Sequence, residues 1–335
     1  MEVIAREWRL KRRPQGLPAS GDFELVDVEL PAPGPGEVLV RNRWMSVDPY
    51  MRGRMRAEKS YATPYALGQA MHGSALGRVV ASRSEAFREG DLVLSIQGWR
   101  DAFVADAADL TKLPDLADVP EQAFLGPLGM PGLTAYVGLI EIAGLVGGET
   151  VLVSAAAGAV GSIACQIAKV RGCRVVAMVG SEEKCEWLRS IGVDAAVNYR
   201  ATPDLLRAVN DAVPDGVDIY FDNVGGRQLE VAIAAARDFA RFVECGMISG
   251  YNAETSSPGP SNMMEIVKKR LTLRGFIVRD HAAIEPRFRQ DMADWIASGR
   301  IAWRESVETG IERAPAAFGR LFDGSNIGKM LVQLG

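Results

Sequence analysis

Cysteine and histidine are scarce, with four cysteines and two histidines in 335 residues. Cys165, Cys173, Cys185 and Cys245 all fall in the second half, and no pair has CxxC spacing. Neither a disulfide framework nor a zinc knuckle is expected. His72 and His281 each lack a second histidine or a cysteine at ligand spacing, so no metal site is expected. Charge excess is lacking too. The 38 basic and 42 acidic residues leave a net charge of −4, without the basic surplus that nucleic-acid binding calls for. The short clusters Lys11-Arg12-Arg13 and Arg52, Arg54, Arg56 read as solvated surface. Residues 122–140 and 151–168 are uncharged, and each approaches the roughly 20 residues of a membrane span. Pro127, Pro131 and several glycines break the first run, and the second passes from Val151-Leu152-Val153 into Ala, Gly and Ser. Buried elements are therefore expected there, not a lipid-facing helix. The N-terminus is charged from residue 2 and shows no signal peptide, which with free thiols leads to an expected cytoplasmic location.

What is present is ordinary globular composition, 48% hydrophobic and 24% charged. The length fits two or three domains at about 100–200 residues each. Up to about residue 120 the chain reads as β-rich. Phe23-Glu24-Leu25-Val26-Asp27-Val28 partly alternates, and a Pro/Gly turn over 31–36 leads into Val38-Leu39-Val40. Val79-Val80 and Leu92-Val93-Leu94 are further short strands, which together predict a barrel-like β domain. From about residue 123 the pattern changes to alternating strands and helices. Strands are expected at 151–154, 174–179, 195–198, 217–221, 241–245 and 271–278, with helices at 160–171, 182–190, 202–212 and 227–236. That order predicts an α/β fold with a doubly wound parallel sheet. Beyond about residue 300 short β-like pieces return and end in Met330-Leu331-Val332.

The strongest local motif is Ala155-Ala156-Ala157-Gly158-Ala159-Val160-Gly161, between a predicted strand and a predicted helix. That is the context of a dinucleotide fingerprint. Gly158 lets the backbone approach a pyrophosphate, Gly161 lets helix pack on strand, and the helix N-terminus faces the anion. Ala155 stands where the first glycine usually does. The second strand ends at Val179-Gly180-Ser181 with Lys184 one turn on. A carboxylate that would hold the ribose diol of NAD is missing there. Ser181 and Lys184 instead suit a 2′-phosphate, which favours NADPH. Glu182 and Glu183 lie close enough to weaken that cationic field. Without a metal, an electrophile must come from elsewhere. Tyr251, in Cys245-Gly246-Met247-Ile248-Ser249-Gly250-Tyr251-Asn252, follows a strand and falls at the carboxyl edge where open α/β sheets bind ligands.

These stretches are familiar together with Val47-Asp48-Pro49-Tyr50-Met51-Arg52, Gly129-Met130-Pro131-Gly132-Leu133-Thr134-Ala135-Tyr136, Asn198-Tyr199, Phe221-Asp222-Asn223-Val224-Gly225-Gly226 and Asn326-Ile327-Gly328-Lys329. The chain resembles the medium-chain dehydrogenase/reductase superfamily. Within it the chain is similar to the zinc-independent branch of leukotriene 12-hydroxydehydrogenase/prostaglandin reductases, plant double-bond reductases and bacterial curcumin reductases. The resemblance runs nearly end to end. It implies a GroES-like β-barrel domain over 1–122, completed by 303–335, and a Rossmann domain over 123–302. Where zinc-dependent relatives carry a GHE ligand motif this chain has Gly73-Ser74-Ala75, and Asp48 stands where a ligand cysteine is usual.

The resemblance also implies a reaction: NADPH-dependent reduction of the C=C bond of an α,β-unsaturated ketone or aldehyde. Hydride goes to the β-carbon, and Tyr251, with the cofactor ribose hydroxyl, stabilises the enolate oxygen. It further implies the cofactor residues. Gly158, Ala159, Val160 and Gly161 cover the pyrophosphate, Gly180, Ser181, Lys184 and Tyr199 the 2′-phosphate end, and Asn223 the ribose. Cys245, Gly246, Met247, Ile248, Ser249 and Tyr251, with Phe276, Ile277 and Val278, line the nicotinamide side, and Asn326 reaches in from the tail. Tyr50 faces the substrate. Relatives often carry a larger polar residue at position 250, where this chain has Gly250. Residues 256–260 look like a flap over the substrate. A homodimer is implied, and neither a nucleic-acid nor a membrane partner. Two other readings stay open at this point: a zinc-independent NADPH quinone reductase, and an NADPH-binding protein without turnover.

Overall fold

The computed structural model describes residues 3–58, 60–116, 119–255 and 258–335, and the chain divides into two compact units. Unit 1 comprises Met1–Leu125, Glu305–Asn326 and Met330–Gly335; unit 2 comprises Gly126–Arg304 and Ile327–Lys329.

Unit 1 begins with strands β1 (Val3–Leu10), β2 (Phe23–Leu30) and β3 (Glu37–Ser46) and a short helix α1 (Met51–Arg54). Strands β4 (Ala75–Ser82), β5 (Leu92–Ser95), β6 (Ala102–Asp106) and β7 (Thr111–Lys112) follow. Unit 2 begins with α2 (Met130–Val137), extended by a π-helical turn (Gly138–Ile142). Then come β8 (Thr150–Val153), α3 (Ala159–Val170), β9 (Arg174–Val179), α4 (Glu182–Ser190), β10 (Ala195–Asn198) and α5 (Leu205–Ala212). The series continues with β11 (Val217–Asp222), α6 (Gly226–Ala235), β12 (Ala236–Glu244), α7 (Met264–Lys269), β13 (Thr272–Gly275) and α8 (Glu285–Ala297). The tail adds β14 (Glu305–Thr309), α9 (Ala314–Asp323) and β15 (Lys329–Gln333).

In unit 1, β1 and β2 pair antiparallel, and a seven-stranded sheet runs β14-β15-β3-β4-β5-β7 with β6 also on β3. Tail residues Leu331, Val332 and Gln333 pair antiparallel with Ser46, Met45 and Trp44. One core of this unit gathers Met45, Met51, Trp99, Phe318 and Met330, with Phe23 and Trp99 rings stacked 6.1 Å apart.

The unit 2 sheet runs β10-β9-β8-β11-β12-β13, and the pairings between its named strands are parallel. Counted in chain order this is the doubly wound Rossmann arrangement, whose strand order reverses between β8 and β11. Period-two alternation sends neighbouring residues to opposite cores. Ile219, Phe221 and Val243 join one layer with Tyr136 of α2, Ile163 of α3 and Met292 of α8. Tyr220 and Phe242 join the other with Val209 of α5 and Ile233 of α6. Burial on both faces explains why β8 is buried throughout and runs Val151-Leu152-Val153 without alternating.

Several sequence expectations need correcting. The strand predicted at 271–278 stops at Gly275, and Val278 opens a 3₁₀ turn. Strand β12 begins at Ala236, directly after α6, earlier than the predicted 241. The tail holds a ten-residue helix, α9, where only β-like pieces were expected. Its Ala314, Ala317 and Phe318 form a buried stripe at helical spacing. Among the described residues, no helix is long and apolar enough to cross a membrane.

Candidate active site

The carboxyl ends of β8 and β11 flank the reversal point of the unit 2 sheet, where open α/β sheets bind ligands. Helix α3 starts here with Gly158 as its N-cap and no side chain capping it. The backbone N–H groups of Ala159, Val160 and Gly161 thus open the helix as a ready anion site. A β-carbon on Gly161 would overlap Ala155 O and lie 2.8 Å from Ala156 Cα. That closeness is what the fingerprint glycine is for, and it is the observation on which a dinucleotide fits this turn. Ala155 itself has φ +44°, the left-handed region that glycine enters without strain. The alanine in the motif is therefore a strained substitution within an otherwise ordinary turn.

Gly328 was quoted as part of a familiar stretch without a role. Its N–H donates to Ala157 O at 2.7 Å, and Gly328 bridges to Gly158. With φ +68° and Arg304 O where a β-carbon would stand, only glycine fits. The sequence signal was present, a glycine in the tail beside Asn326, but its partner lies far away in the chain.

The end of β9 forms the cationic corner. Ser181 caps α4, its Oγ accepting from Lys184 N at 3.4 Å. Glu182 is engaged by Arg189 at 2.8 Å. Tyr199 N donates to Val179 O at 2.9 Å, which joins the ends of β9 and β10. A β-carbon on Gly180 would lie 3.0 Å from Tyr199 Oη and 3.2 Å from Arg200 Nε. The Arg200 guanidinium lies 6.0 Å from the Tyr199 ring centre. Gly180, Ser181, Lys184 and Tyr199 thus cluster, and Arg200 joins them. Sequence reasoning stopped one residue short of it.

Beyond the reversal point, Asp222 is fully buried. Its Oδ1 accepts from Ser154 Oγ (2.8 Å), Tyr220 Oη (2.9 Å), Val224 N (2.8 Å) and Gly225 N (2.9 Å). Asn223 is pinned to the end of β8, its N donating to Ser154 Oγ and its Nδ2 to Ser154 O, both at 2.8 Å. The loop after β12 is tied to this turn. Cys245 N and Gly246 N donate to Asp222 O at 2.9 and 3.1 Å, and Ile248 N donates to Asn223 O at 3.2 Å. Ser249 reaches Val224 O through both N (3.1 Å) and Oγ (2.6 Å). Residues Ile248–Gly250 make one 3₁₀ turn that ends at Tyr251. The Tyr251 hydroxyl comes back over the loop and accepts from Met247 N at 3.4 Å; a β-carbon on Gly246 would be 3.1 Å from it.

A cavity of about 390 Å³ opens beside this loop, lined by Glu244, Cys245, Gly246, Met247, Gly275, Phe276, Ile277 and Asp280. Five of those residues were expected on the nicotinamide side. Ile248, Ser249, Tyr251 and Val278 do not line it, and Glu244, Gly275 and Asp280 were missed. Burial pushes the Cys245 thiol up to about 12, with Asp222 and Glu244 adding to the effect. The thiol is therefore protonated and unreactive at neutral pH.

Tyr50 caps the N-terminus of α1 in unit 1, half-buried against a core that includes Met51. Asn326 lies half-buried in the loop before β15. Gly250 faces open space, since an added β-carbon would meet nothing within 4 Å. Of the expected flap, residues 256 and 257 lie outside the described residues. Among the described residues, no group of three or more His, Cys, Asp or Glu is placed to hold a metal ion. Asp48 is buried and takes a hydrogen bond from Ser46 Oγ, and burial holds the half-buried His72 below the usual histidine range.

Comparison with known proteins agrees with this architecture. Residues 6–113 match the N-terminal domain of oxidoreductase, and residues 159–298 match the family described as zinc-binding dehydrogenase. The chain belongs to the double-bond reductase branch of the medium-chain dehydrogenase/reductase superfamily. It is 44% identical to prostaglandin reductase 1 of Bos taurus, over 99% of each chain. It is 40% identical to the NADP(+)-dependent 2-alkenal reductase of Nicotiana tabacum, over 99% of this chain and 98% of that one. Among solved structures, CurA in complex with NADPH from Vibrio vulnificus superposes with a TM-score of 0.92 at 39% identity, covering 98% of this chain and 99% of the other.

Proposed function

We propose that the protein is an NADPH-dependent reductase of the C=C bond of α,β-unsaturated aldehydes and ketones, with unit 2 as the cofactor domain and unit 1 as the substrate domain. When bound, NADPH supplies the hydride that adds to the substrate's β-carbon. The rest is work for the chain's own groups. The bare N-terminus of α3 takes the pyrophosphate, and Lys184, Tyr199 and Arg200 hold the 2′-phosphate around Gly180. Asn223, fixed on Ser154, orients the ribose. Phe276 and Ile277 exclude water from one side of the nicotinamide cavity. Tyr251 hydrogen-bonds through its hydroxyl to the substrate carbonyl oxygen, where negative charge grows as the β-carbon is attacked, and the enolate then takes a proton from solvent at its α-carbon. Tyr50 contacts the substrate from unit 1.

The observation that carries this reading is the Tyr251 hydroxyl held by Met247 N at the loop lining the cavity. In that contact its oxygen accepts from the backbone, which sets the hydroxyl at the loop. The relatives, a prostaglandin reductase and a 2-alkenal reductase, support the substrate class by their names. The deciding experiment is NADPH and NADH consumption by the purified protein with a 2-alkenal, an aryl enone, curcumin and a simple quinone, with products identified by mass and NMR. Saturated carbonyl products with NADPH are expected. Turnover with the quinone alone would replace this reading with a quinone reductase, and no turnover despite NADPH binding would point to a non-catalytic role.

A further inference from the structure

Glu244 ends strand β12 directly after the buried Phe242 and Val243, and its own carboxyl oxygens are buried, a position where a carboxylate is costly unless partnered. Its register partner across the parallel ladder is Asp222, two residues on from the Tyr220–Phe242 pair. The two aromatic rings meet edge to face at 5.4 Å, and the two carboxyls occupy the same face beyond them. Three buried oxygens remain at this spot: Asp222 Oδ2 and both Glu244 oxygens meet no donor from the described residues. Two carboxylates have only acceptors to offer each other, so a hydrogen bond between them requires a proton. Asp222 Oδ1 already receives four hydrogen bonds, whereas neither Glu244 oxygen receives one, so the proton sits on Glu244.

We infer that Glu244 is a positioning residue, a neutral carboxylic acid that donates to Asp222 Oδ2 and thereby locks the 222–225 turn against the 245–251 loop that carries Tyr251. The inference rests on the functional reading above only for the identity of what that loop serves. Burial and the neighbouring Asp222 push Glu244 up to about 8. The groups facing it are all acidic or neutral. From β11 come Asp222 and Tyr220, whose hydroxyl is raised well above its ordinary value. Cys245 follows it in the chain, Gly275 of β13 is its uncharged register partner, and Asp280 lines the same cavity. Among the described residues its shift comes from burial and Asp222 with no cation contributing, and Arg274, beside Gly275 on β13, is exposed. The linkage therefore has a definite sign. An acid raised in the folded state binds more protons folded than unfolded, so the stability it contributes is complete below the ordinary value of about 4.3 and lost as pH rises through about 8. Above that, two adjacent buried anions repel and the loop pair loosens.

The test compares the wild type with Glu244→Gln, which keeps a donor but cannot ionise, and Glu244→Leu, which has none. NADPH affinity and Tm of the apo-protein are followed from about pH 6 to about pH 10, a range that brackets the raised value. The wild type is expected to lose on the order of tenfold in NADPH affinity across the alkaline limb, and to lose roughly 2–4 °C or more in Tm relative to Glu244→Gln. Glu244→Gln is expected to abolish the alkaline fall, and Glu244→Leu to bind NADPH weakly at every pH. Parallel pH profiles for wild type and Glu244→Gln would overturn the inference, as would wild-type neutral affinity in Glu244→Leu. Infrared difference spectra supply a third readout: a protonated-carboxyl band present at neutral pH and missing from Glu244→Gln supports the pair, and its absence from the wild type refutes it. None of these measurements uses a substrate, so a protein that reduces no enone would refute the proposed reaction while leaving the carboxyl pair decided on its own data.

Discussion

The two ends of one sheet edge in unit 2 carry opposite chemistry. After β9 and β10, Tyr199 and Arg200 stand over Gly180, Lys184 follows the Ser181 cap, and Glu182 is occupied by Arg189. In the cavity after β12 and β13 the titratable lining groups are Glu244, Cys245 and Asp280, with Asp222 behind them. The first corner is open and cationic; the second is half-buried and acidic, and its thiol and Glu244 keep their protons at neutral pH. A dinucleotide phosphate needs fixed positive charge that survives solvent screening, which short-range donors around a glycine provide. A cavity for an uncharged ring needs fixed geometry without net charge, which neutral acids and backbone ties provide. The same fold edge serves both ends because the charge is set by the last residue or two of each strand.

Substitutions at the two ends should then separate. Tyr251→Phe is expected to lower kcat by about 100- to 1,000-fold, the usual effect of removing one oxyanion donor, with little change in NADPH Kd. A change confined to Kd would break the division between a chemical end and a binding end. Next in size, Lys184→Ala is expected to raise NADPH Kd on the order of tenfold and to leave NADH nearly unchanged, measured by fluorescence titration. Arg200→Ala should act in the same direction, and equal effects on both cofactors would remove either residue from 2′-phosphate recognition. Ala155→Gly relieves a left-handed alanine beside the phosphate turn and is expected to stabilise by about 1 kcal/mol in thermal unfolding. A loss of stability there would mean that the turn is not strained. Smallest, Gly250→Ala adds a methyl to open space in a 3₁₀ turn and is expected to gain about 0.4–1 kcal/mol. If it also lowered kcat, the turn before Tyr251 would need the freedom of glycine.

Much of the α/β series was legible because its strands are short apolar runs and its helices have striped faces. The predicted strand 195–198 and helix 182–190 coincide with β10 and α4. The glycine turn was legible from Gly158 and Gly161, since their role depends on neighbours a few residues away. Helix α9 was not legible, because its buried stripe of Ala314, Ala317 and Phe318 is interrupted by Pro315 and Gly319, which weaken the helical signal. Arg200 was missed because its significance depends on Gly180, on another strand. Asp280 was missed because the strand expected through 278 turns away at Gly275.

The sequence alone determined the alternation of strands and helices from β8 to β12, the turn that opens α3 and the lack of a carboxylate after β9, all consequences of residues close together in the chain. Tertiary structure decided the contacts between distant residues: Gly328 on Ala157, Arg200 over Gly180, and Glu244 beside Asp222. The physical reason is strand register. A carboxylate at the end of a strand looks like any polar terminus until parallel pairing sets a second carboxylate opposite it, away from water, and only then must one of the two keep its proton.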